Sequence, residues 1–572
     1  MLVNRTHVNT AGCDRDVVQA GNAFFHPRLL YTCTGVFIAF FVLFALLRTK
    51  NILAVDGGIR CLEVYRRQSL YFDINNHLLQ PAHVWAWTRV AGMLGYKADS
   101  PFQFYSLVQL MNCFAGAACL AILLALMYSA VSSWRLALAV TIGYGFTKAF
   151  LEQATNANEA PMGLFWSLLA LFFAALCFRV KSNWPVVVSA MLFALAMATY
   201  QTMILLFPAA IVLIWASRSA PAGGLNNQKR TRAALAPQLR AFAIFALVGV
   251  ATTACIFGYA YSGMHIGGPL AMIKAFFIHE DAKVYFGITG GKMLNLPVGL
   301  TRNIFPLARD YSGLRNLLAG PPLTVALFLL TLVLLVAFFA VCLLYLWNQR
   351  LRMTSCVRSA FVAATVGLVF TAVPLTIWDS NYDKFWLQPL ACLAFLIVLA
   401  LHVMRTESGY VALASRIAGG ILLVGILSNS VWAVQDHVRE NLELRQAQHV
   451  AEIVGKGSFV VGGWDGPSLL YGAFWAPDGE YFDYSQDASF HGRRASDDLR
   501  AAISRAQARG GNVYFIGLLD LTPHQWDDFL GRRCGIPYSD LDTYRTHSSV
   551  IAKLPRGTAD ISLHQLNPLT TP

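Results

Sequence analysis

An acidic residue follows the first long apolar run of the chain, Leu29–Leu47, at the point where a membrane segment would end. This residue, Asp56, belongs to the polar stretch 50–103. A charge at a membrane boundary costs free energy and is rarely kept there without a task. Asp56 is therefore a candidate general base for an acceptor hydroxyl, or a metal ligand. Capping of a helix that begins near Gly57 would also account for it. The same stretch carries three further polar candidates, Glu63, Asn76 and His77.

Two more acids, Glu152 and Glu159, flank a short polar connection that ends at Pro161. Either one would supply a second carboxylate if this connection and the Asp56 stretch converge at one membrane face. Ordinary structural roles are also open. Glu152 fits the end of a span, and Glu159 fits a helix start, where the helix dipole favours an acid. His77 fits a polar loop residue as well as it fits a ligand.

The cationic candidates are Lys384, Arg302 and Lys292, with Tyr382 close to the first of them. Lysine and arginine at a membrane interface are suited to binding a lipid-linked phosphate and to stabilising it as a leaving anion. Lys384 also fits a snorkelling anchor at the end of a span.

The composition places these residues in a membrane protein. The 572 residues are 56% hydrophobic and only 13% charged, against about 25% charged in soluble globular proteins. A net charge of +13 would suit nucleic acid, but the lysines and arginines fall between apolar runs, as the positive-inside rule predicts. No nucleic-acid partner is therefore expected. The eleven cysteines show neither CxxC pairs nor Cys/His metal-ligand spacing.

Apolar runs predict about eleven transmembrane helices, since about 20 apolar residues cross a bilayer. They lie at 29–48, 104–128, 134–153, 160–178, 184–201, 203–217, 240–262, 322–346, 360–378, 385–404 and 415–434.

The charges of the short connections predict the orientation of these spans. A cytoplasmic N-terminus places basic residues such as Arg135, Arg179 and Arg405 inside, and acids and amides outside. An odd number of spans then puts the tail outside, together with the loops 50–103 and 263–320.

The tail alternates short strand and helix patterns, which predicts a small α/β domain. Strand patterns lie at 458–461, 481–484 and 512–518, and helix patterns at 495–509 and 523–533. The turn 462–466 lacks the glycine fingerprint of a nucleotide site, so a tight turn is the expected structure. The predicted division is a cytoplasmic segment 1–28, a membrane module 29–434 and an external α/β domain 435–572.

Three features together resemble the GT-C superfamily of membrane glycosyltransferases. They are Asp56 after the first span, Glu159 or Glu152 between spans three and four, and the run Asn381–Pro389 entering a late span. The likeness is to the group of protein O-mannosyltransferases, aminoarabinose transferases and rhizobial lipopolysaccharide glycosyltransferases. Two departures stand out. Lys384 occupies a position where arginine is more usual, and Asp56 is followed by glycines where that group often has an Asp-Glu pair.

The resemblance implies transfer of a sugar from a polyprenyl-phosphate donor to a hydroxyl on a cell-envelope glycan, lipid or protein. Asp56 and Glu159 would be the catalytic acids, and Lys384 with Arg302 or Lys292 would stabilise the departing lipid phosphate, with Tyr382 beside them. A divalent cation is compatible with the carboxylates, but nothing in the sequence requires one. The implied location is a bacterial inner membrane, among its lipids, with the C-terminal domain in the periplasm.

Two other functions fit part of the pattern. A lipid-linked glycan flippase or transporter would place ionisable groups in mid-span and show two similar halves, whereas the charges here gather at span ends. An O-antigen polymerase or ligase would carry a large late loop between spans, and a terminal α/β domain is not expected there.

Overall fold

The computed structural model describes most of the membrane module and of the tail. The described residues are 27–48, 61, 64–65, 67, 70, 72, 77–180, 182–219, 230–262, 288–307, 314–351, 353–377, 382–405, 410–438, 449–450, 452–455, 457–463, 479–531, 534–556 and 559–567. Three candidates from the sequence, Asp56, Glu63 and Asn76, lie outside these ranges.

The first half of the membrane module is built from helices whose sequences are almost continuously apolar. They are α1 (Pro27–Leu46), α2 (Gln80–Met93), α3 (Pro101–Val131), α4 (Trp134–Gly145), α5 (Lys148–Thr155), α6 (Ala160–Leu176), α7 (Trp184–Thr199), a 3-10 turn (Gln201–Leu206) with α8 (Phe207–Arg218), and α9 (Arg230–Ser262). The start of α3 shows the local rule: Ser100 accepts a hydrogen bond from the backbone N–H of Gln103, and Pro101 occupies the first turn.

The second half continues in the same way. It comprises α10 (Gly290–Ile304), α11 (Leu314–Leu318), α12 (Pro322–Gln349), α13 (Ser355–Ile377), a 3-10 turn (Asp383–Trp386) with α14 (Leu387–Arg405), α15 (Tyr410–Leu427) and α16 (Asn429–Val438).

Each predicted span coincides with at least one of these helices, and the protein is a multi-pass membrane protein. Among the described residues, eight helices are long and apolar enough to cross a bilayer, or nine if α5 and α6, which meet at 111°, count as one broken span. The predicted span 134–153 is not one straight helix, because the chain breaks after the 12 residues of α4 and continues as α5. The number eleven stays a prediction.

The spans differ sharply in burial. In α3 and in the Asp383–Arg405 span, 78% and 67% of the apolar window lie inside the protein, against 22% in α1 and 11% in α9. The two central helices therefore form the scaffold, while the apolar flanks of the others are left to face lipid.

The tail forms a mixed five-stranded sheet with helices packed on it. Its strands are β1 (Phe459–Gly462), β2 (Glu480–Asp483), β3 (Val513–Ile516), β4 (Ser548–Arg556) and β5 (Ala559–Leu566), in the order β2-β1-β3-β5-β4. β1 pairs in parallel with β2 and β3, and β5 pairs antiparallel with β3 and β4.

The helices of the tail are α17 (Tyr484–His491), α18 (Arg494–Ala508), α19 (Pro523–Trp526) and α20 (Asp542–Thr546). The three predicted strands and the helix at 495–509 are present, whereas the hairpin of β4 and β5 was not predicted. The predicted helix 523–533 is shorter than expected, since α19 changes to a π turn at Asp527–Gly531.

One edge of the sheet meets the membrane module. Tyr481 of β2 packs on a buried cluster that contains Cys61, Val64 and, from α3, Phe104 and Val108. The tail is therefore in contact with the same end of the helix bundle at which α2 lies.

Candidate active site

Four charged side chains tie the segment around α5 to the 3-10 turn before α14. The Nζ of Lys148, at the start of α5, lies 2.6 Å from Oδ2 of Asp383. The Nζ of Lys384 lies 3.0 Å from Oε1 of Glu159, which precedes α6. The segment around α5 thus supplies Lys148 and Glu159, and the turn supplies Asp383 and Lys384. Each segment contributes the base of one ion pair and the acid of the other. Adjacent residues of the turn reach different partners, which fixes the turn against the bundle.

Glu159 is the centre of the first pair. Its residue is fully buried, and Nε2 of His77 lies 3.3 Å from the same carboxylate oxygen that Lys384 approaches. A buried carboxylate persists only where cations or donors surround it. The Lys384 side chain is 16% exposed, so the cationic half of this pair keeps contact with solvent. We call Glu159, Lys384 and His77 the Glu159 cluster.

Aromatic rings line the Glu159 cluster. The Tyr200 ring, at the end of α7, lies 5.6 Å from Nζ of Lys384, within range of a cation–π contact. It also stacks on the imidazole of His77 at 5.4 Å and on Phe385 at 6.4 Å. Tyr382 packs edge-on against Phe385 at 6.0 Å and is 46% exposed. The lysine is therefore held by a charge and a ring face, and its neighbour Tyr382 is accessible.

The backbone that carries Glu159 is positioned from α3. The side-chain amide of Asn112, fully buried, donates to the carbonyl oxygens of Asn156 and Asn158 at 2.7 and 2.6 Å. The Asn158 side chain in turn accepts a hydrogen bond from the backbone N–H of Glu159 at 2.7 Å. Asn156 has an extended backbone, which ends α5 and produces the sharp bend. Sequence analysis did not identify Asn112, since an asparagine inside an apolar run gives no sign of its partner.

The second pair belongs to a more enclosed group. Nζ of Lys148 also lies 2.7 Å from Glu152, and its side chain is 1% exposed. The ring of Trp432 lies 5.9 Å from the same nitrogen. We call Lys148, Glu152 and Asp383 the Lys148 cluster. The structure thus separates the two acids that the sequence left as alternatives: Glu152 pairs with Lys148, and Glu159 pairs with Lys384. Lys148 was not a candidate from the sequence, and Asp383 was one residue of the run Asn381–Pro389 without a role of its own.

The remaining cationic candidates both lie on α10 but reach different places. Lys292 donates to the carbonyl of Ile377, at the end of α13, at 2.9 Å. Arg302, in the last turn of α10, acts electrostatically on Asp383 of the Lys148 cluster. Ten residues of helix, or about 15 Å, separate the two side chains along α10. They are therefore not interchangeable partners of one phosphate.

α2 is attached to the bundle beside the Glu159 cluster. Trp87 donates from its indole nitrogen to the carbonyl of Leu107 at 2.9 Å, and Trp166 donates to Nε2 of His83 at 3.2 Å. Burial lowers the pKa of His83 to about 4, with a smaller opposing effect of the Leu79 backbone. His83 is therefore a neutral acceptor at neutral pH, which explains how it receives the indole N–H.

Within the described residues, one His/Asp group has the spacing of a metal site. Asp487, His491 and Asp498 place their ligand atoms within 4.8 Å of one another. This group lies on the helices of the tail and not at the Glu159 cluster.

Comparison with known proteins was informative at the level of structure. No family model matches the sequence, and no curated protein matches it. ArnT from Cupriavidus metallidurans bound to undecaprenyl phosphate superimposes with a TM-score of 0.54 at 11% identity, covering 95% of this chain and 99% of that chain. The apo state of the same ArnT gives 0.52 at 12% identity, covering 93% and 97%. The apo oligosaccharyltransferase of Archaeoglobus fulgidus gives 0.52 at 13% identity, covering 90% and 72%.

At these identities the likeness concerns the fold. The chain has the fold of the GT-C glycosyltransferases, over almost the full length of ArnT. This confirms the fold class predicted from Asp56, the acids between spans three and four, and the run Asn381–Pro389.

Proposed function

Because the chain has the GT-C fold, we propose that it is an integral membrane glycosyltransferase that uses a polyprenyl-phosphate sugar. The observation that carries the proposal is the Glu159 cluster, in which a buried acid holds a partly exposed lysine at one end of the bundle. A lysine that is held by a buried acid and is still accessible is suited to bind a lipid-linked phosphate. The structure of ArnT with undecaprenyl phosphate supports the same class of donor here.

Lys384 is the proposed partner of the donor phosphate. Glu159 stabilises its positive charge and orients the ammonium, and the partly exposed ammonium is suited to a phosphate oxygen. Tyr382, exposed beside it, is placed to contribute a hydroxyl. Arg302 and Lys292 would add to the positive potential from α10 rather than form a second direct contact with the same oxygen.

Asp56 is the proposed general base, as the sequence resemblance implies. It would accept the proton of the acceptor hydroxyl while that oxygen forms a bond to the anomeric carbon. The bond between the anomeric carbon and the phosphate oxygen breaks, and the polyprenyl phosphate leaves with both electrons. Glu63 and Asn76, in the same stretch of sequence, stay candidates for the acceptor side. His77 is assigned instead to support of Glu159, because it lies against that carboxylate.

The acceptor is proposed to be a hydroxyl of a glycan, lipid or protein of the cell envelope. The charges of the short connections favour the periplasmic side of a bacterial inner membrane for the Glu159 cluster and for the tail. The contact of Tyr481 with the cluster of Cys61 and Phe104 would then keep the tail beside the acceptor side of the site.

Purified protein with a panel of radiolabelled polyprenyl-phosphate sugars tests this proposal. We expect wild-type protein to release label from one donor, and Asp56→Ala to abolish release while the protein still elutes as a folded species. Asp99→Ala is the matched control, since Asp99 is an exposed aspartate of the same loop. Flux of a lipid-linked sugar across liposomes without any cleavage of the donor would overturn the proposal in favour of a transporter.

A further inference from the structure

A long apolar groove runs along α4. It encloses about 510 Å³ between α4, α12, α14 and α15. Its walls include Leu136, Val140, Phe338, Leu393, Ile397 and Leu423. We call it the α4 groove. No residue proposed for sugar transfer lines it.

The two ends of the α4 groove differ in charge. One end carries Ser133, Arg135 and Arg405, and no acidic side chain lines any described part of the groove. Arg405 donates to the hydroxyl of Ser133 at 3.3 Å, and the guanidinium of Arg135 lies over the ring of Trp134 at 5.4 Å. These contacts gather two fixed positive charges at one mouth of an otherwise apolar channel, so this mouth is complementary to an anion that bears an apolar chain.

At the other end, hydrogen bonds connect the helices around the groove. The side-chain amide of Asn429 donates to the carbonyls of Phe146 and Ile304, each at 2.7 Å. The hydroxyl of Tyr144, which lines the groove, donates to the carbonyl of Leu387 at 2.8 Å. These hydrogen bonds lie at the end of the groove near the Lys148 cluster, since Thr147, which lines the groove, directly precedes Lys148.

The dimensions of the groove match one lipid chain. The 12 residues of α4 extend for about 18 Å, close to the roughly 15 Å of hydrocarbon in one bilayer leaflet. Gly420 on α15 leaves room along the path, because a Cβ added there would meet no atom within 4 Å.

We propose that the α4 groove binds an anionic phospholipid, with one acyl chain along α4 and the phosphate on Arg135 and Arg405. Guanidinium groups bind phosphate oxygens in pairs of parallel hydrogen bonds, which makes arginine well suited to this position. The bound lipid supports α4 from the membrane side, and through the Tyr144–Leu387 hydrogen bond it supports the turn that carries Lys384. The site shares no residue with the proposed sugar transfer, so lipid binding can be measured separately from it.

The requirement for a charged headgroup is tested by native mass spectrometry of the full-length, delipidated protein. The protein is titrated with phosphatidylglycerol or with phosphatidylcholine of the same chain length. Wild-type protein should retain phosphatidylglycerol preferentially. The double variant Arg135→Gln/Arg405→Gln should bind it about 25-fold more weakly, at about fivefold for each charge lost. Arg350→Gln, at a partly exposed arginine stacked on Trp347, is the control and should bind as wild type. Equal retention of the two lipids by wild-type protein overturns the proposal.

Filling the groove tests its position without touching either arginine. Gly420→Leu should lower phosphatidylglycerol retention about tenfold, by removing the burial of several methylene groups. Gly249→Leu on α9, also at a glycine with open space around it, should leave retention unchanged. Unchanged retention in Gly420→Leu, combined with a raised KM for a polyprenyl-phosphate donor, would assign the groove to the donor and overturn the proposal. The lipid measurement needs no turnover, so its outcome does not depend on that of the sugar-transfer experiment.

Discussion

The Lys148 cluster and the Glu159 cluster are built from the same two segments, yet they differ in access to solvent. Lys148 is 1% exposed and lies between two carboxylates, whereas Lys384 is 16% exposed and shares its carboxylate with His77. The charges are similar, and the pairs are linked through the neighbouring residues Asp383 and Lys384. The role of a buried ion pair therefore cannot be deduced from its residue types alone. A pair closed on all sides can only hold structure, while one that keeps a cation accessible can also bind an anion.

The largest expected effect comes from Lys148→Met. It leaves Asp383 and Glu152 buried without their cation, which should cost about 3–5 kcal/mol of stability and strongly reduce the yield of folded protein in detergent. Thermal unfolding of the purified protein measures it. The triple variant with Asp383→Asn and Glu152→Gln should recover much of the loss, because no uncompensated charge remains. A Lys148→Met protein as stable as wild type would contradict a structural role for the cluster.

Replacing Glu159 or Glu152 by glutamine tests which of the two acids acts in turnover. Glu159→Gln should lower kcat/KM about 100-fold, since it removes the charge that orients Lys384 in the water-poor site, with a smaller loss of stability than Lys148→Met. Glu152→Gln should have the opposite balance of effects, with a larger loss of stability than of turnover. Both are measured by donor turnover and melting temperature on the same preparations. Equal effects of the two variants would show that the clusters do not have separate roles.

The accessible cation is tested by Lys384→Met against Lys384→Arg. Loss of a charge-assisted contact to phosphate is worth about 1.5–3 kcal/mol, so the methionine variant should raise the KM for donor by about one to two orders of magnitude. Arginine, which keeps the charge, should recover most of it. Lys97→Met removes an exposed lysine of the loop before α3 and serves as control. An unchanged KM in Lys384→Met would remove the lysine from donor binding.

The last effect, which is confined to acidic pH, concerns His83, which lies near the Glu159 cluster but belongs to neither ion-pair system. Because burial lowers its pKa to about 4 from an unfolded value of about 6.5, the unfolded state binds more protons between these two values. Stability should be unaffected above about pH 6.5, decline by up to about 3 kcal/mol as the pH falls toward 4, and level off below that. His83→Gln keeps an acceptor for Trp166 and should remove this contribution. Melting curves from pH 7.5 to 4.5 compare the two proteins, and identical slopes would contradict the assignment.

Much of the fold could be predicted from the sequence because membrane spans are determined locally. An apolar run such as 322–346 must be a helix in a bilayer, whatever its neighbours are. The break between α4 and α5 was missed, since its contacts are tertiary: the carbonyl of Phe146, at the break, accepts a hydrogen bond from the side-chain amide of Asn429 on α16. The hairpin of β4 and β5 was missed for a similar reason. Its strands include Pro555 and several charged residues, and the antiparallel pairing of β5 with β3 attaches the hairpin to the sheet.

Some residues of the candidate site could likewise be predicted from the sequence, and others could not. Glu159, Lys384 and the aromatic run around Tyr382 were identifiable because charged residues at the ends of apolar runs are costly and rare. Their partners were not. His77 looked like one polar residue among several in a long loop, yet it lies 3.3 Å from the Glu159 carboxylate. Asp383 could not be distinguished from Lys384 by position, although their side chains point to different clusters.

The sequence alone determined that this chain is a membrane protein with its charges at the span ends and a separate α/β tail, because burial in lipid depends on the composition of each segment. The tertiary structure decided which acid pairs with which base, and which pair keeps access to solvent. Those properties depend on distances between residues as far apart as Lys148 and Asp383, and an ion pair gains its strength only where the folded chain excludes water from both partners.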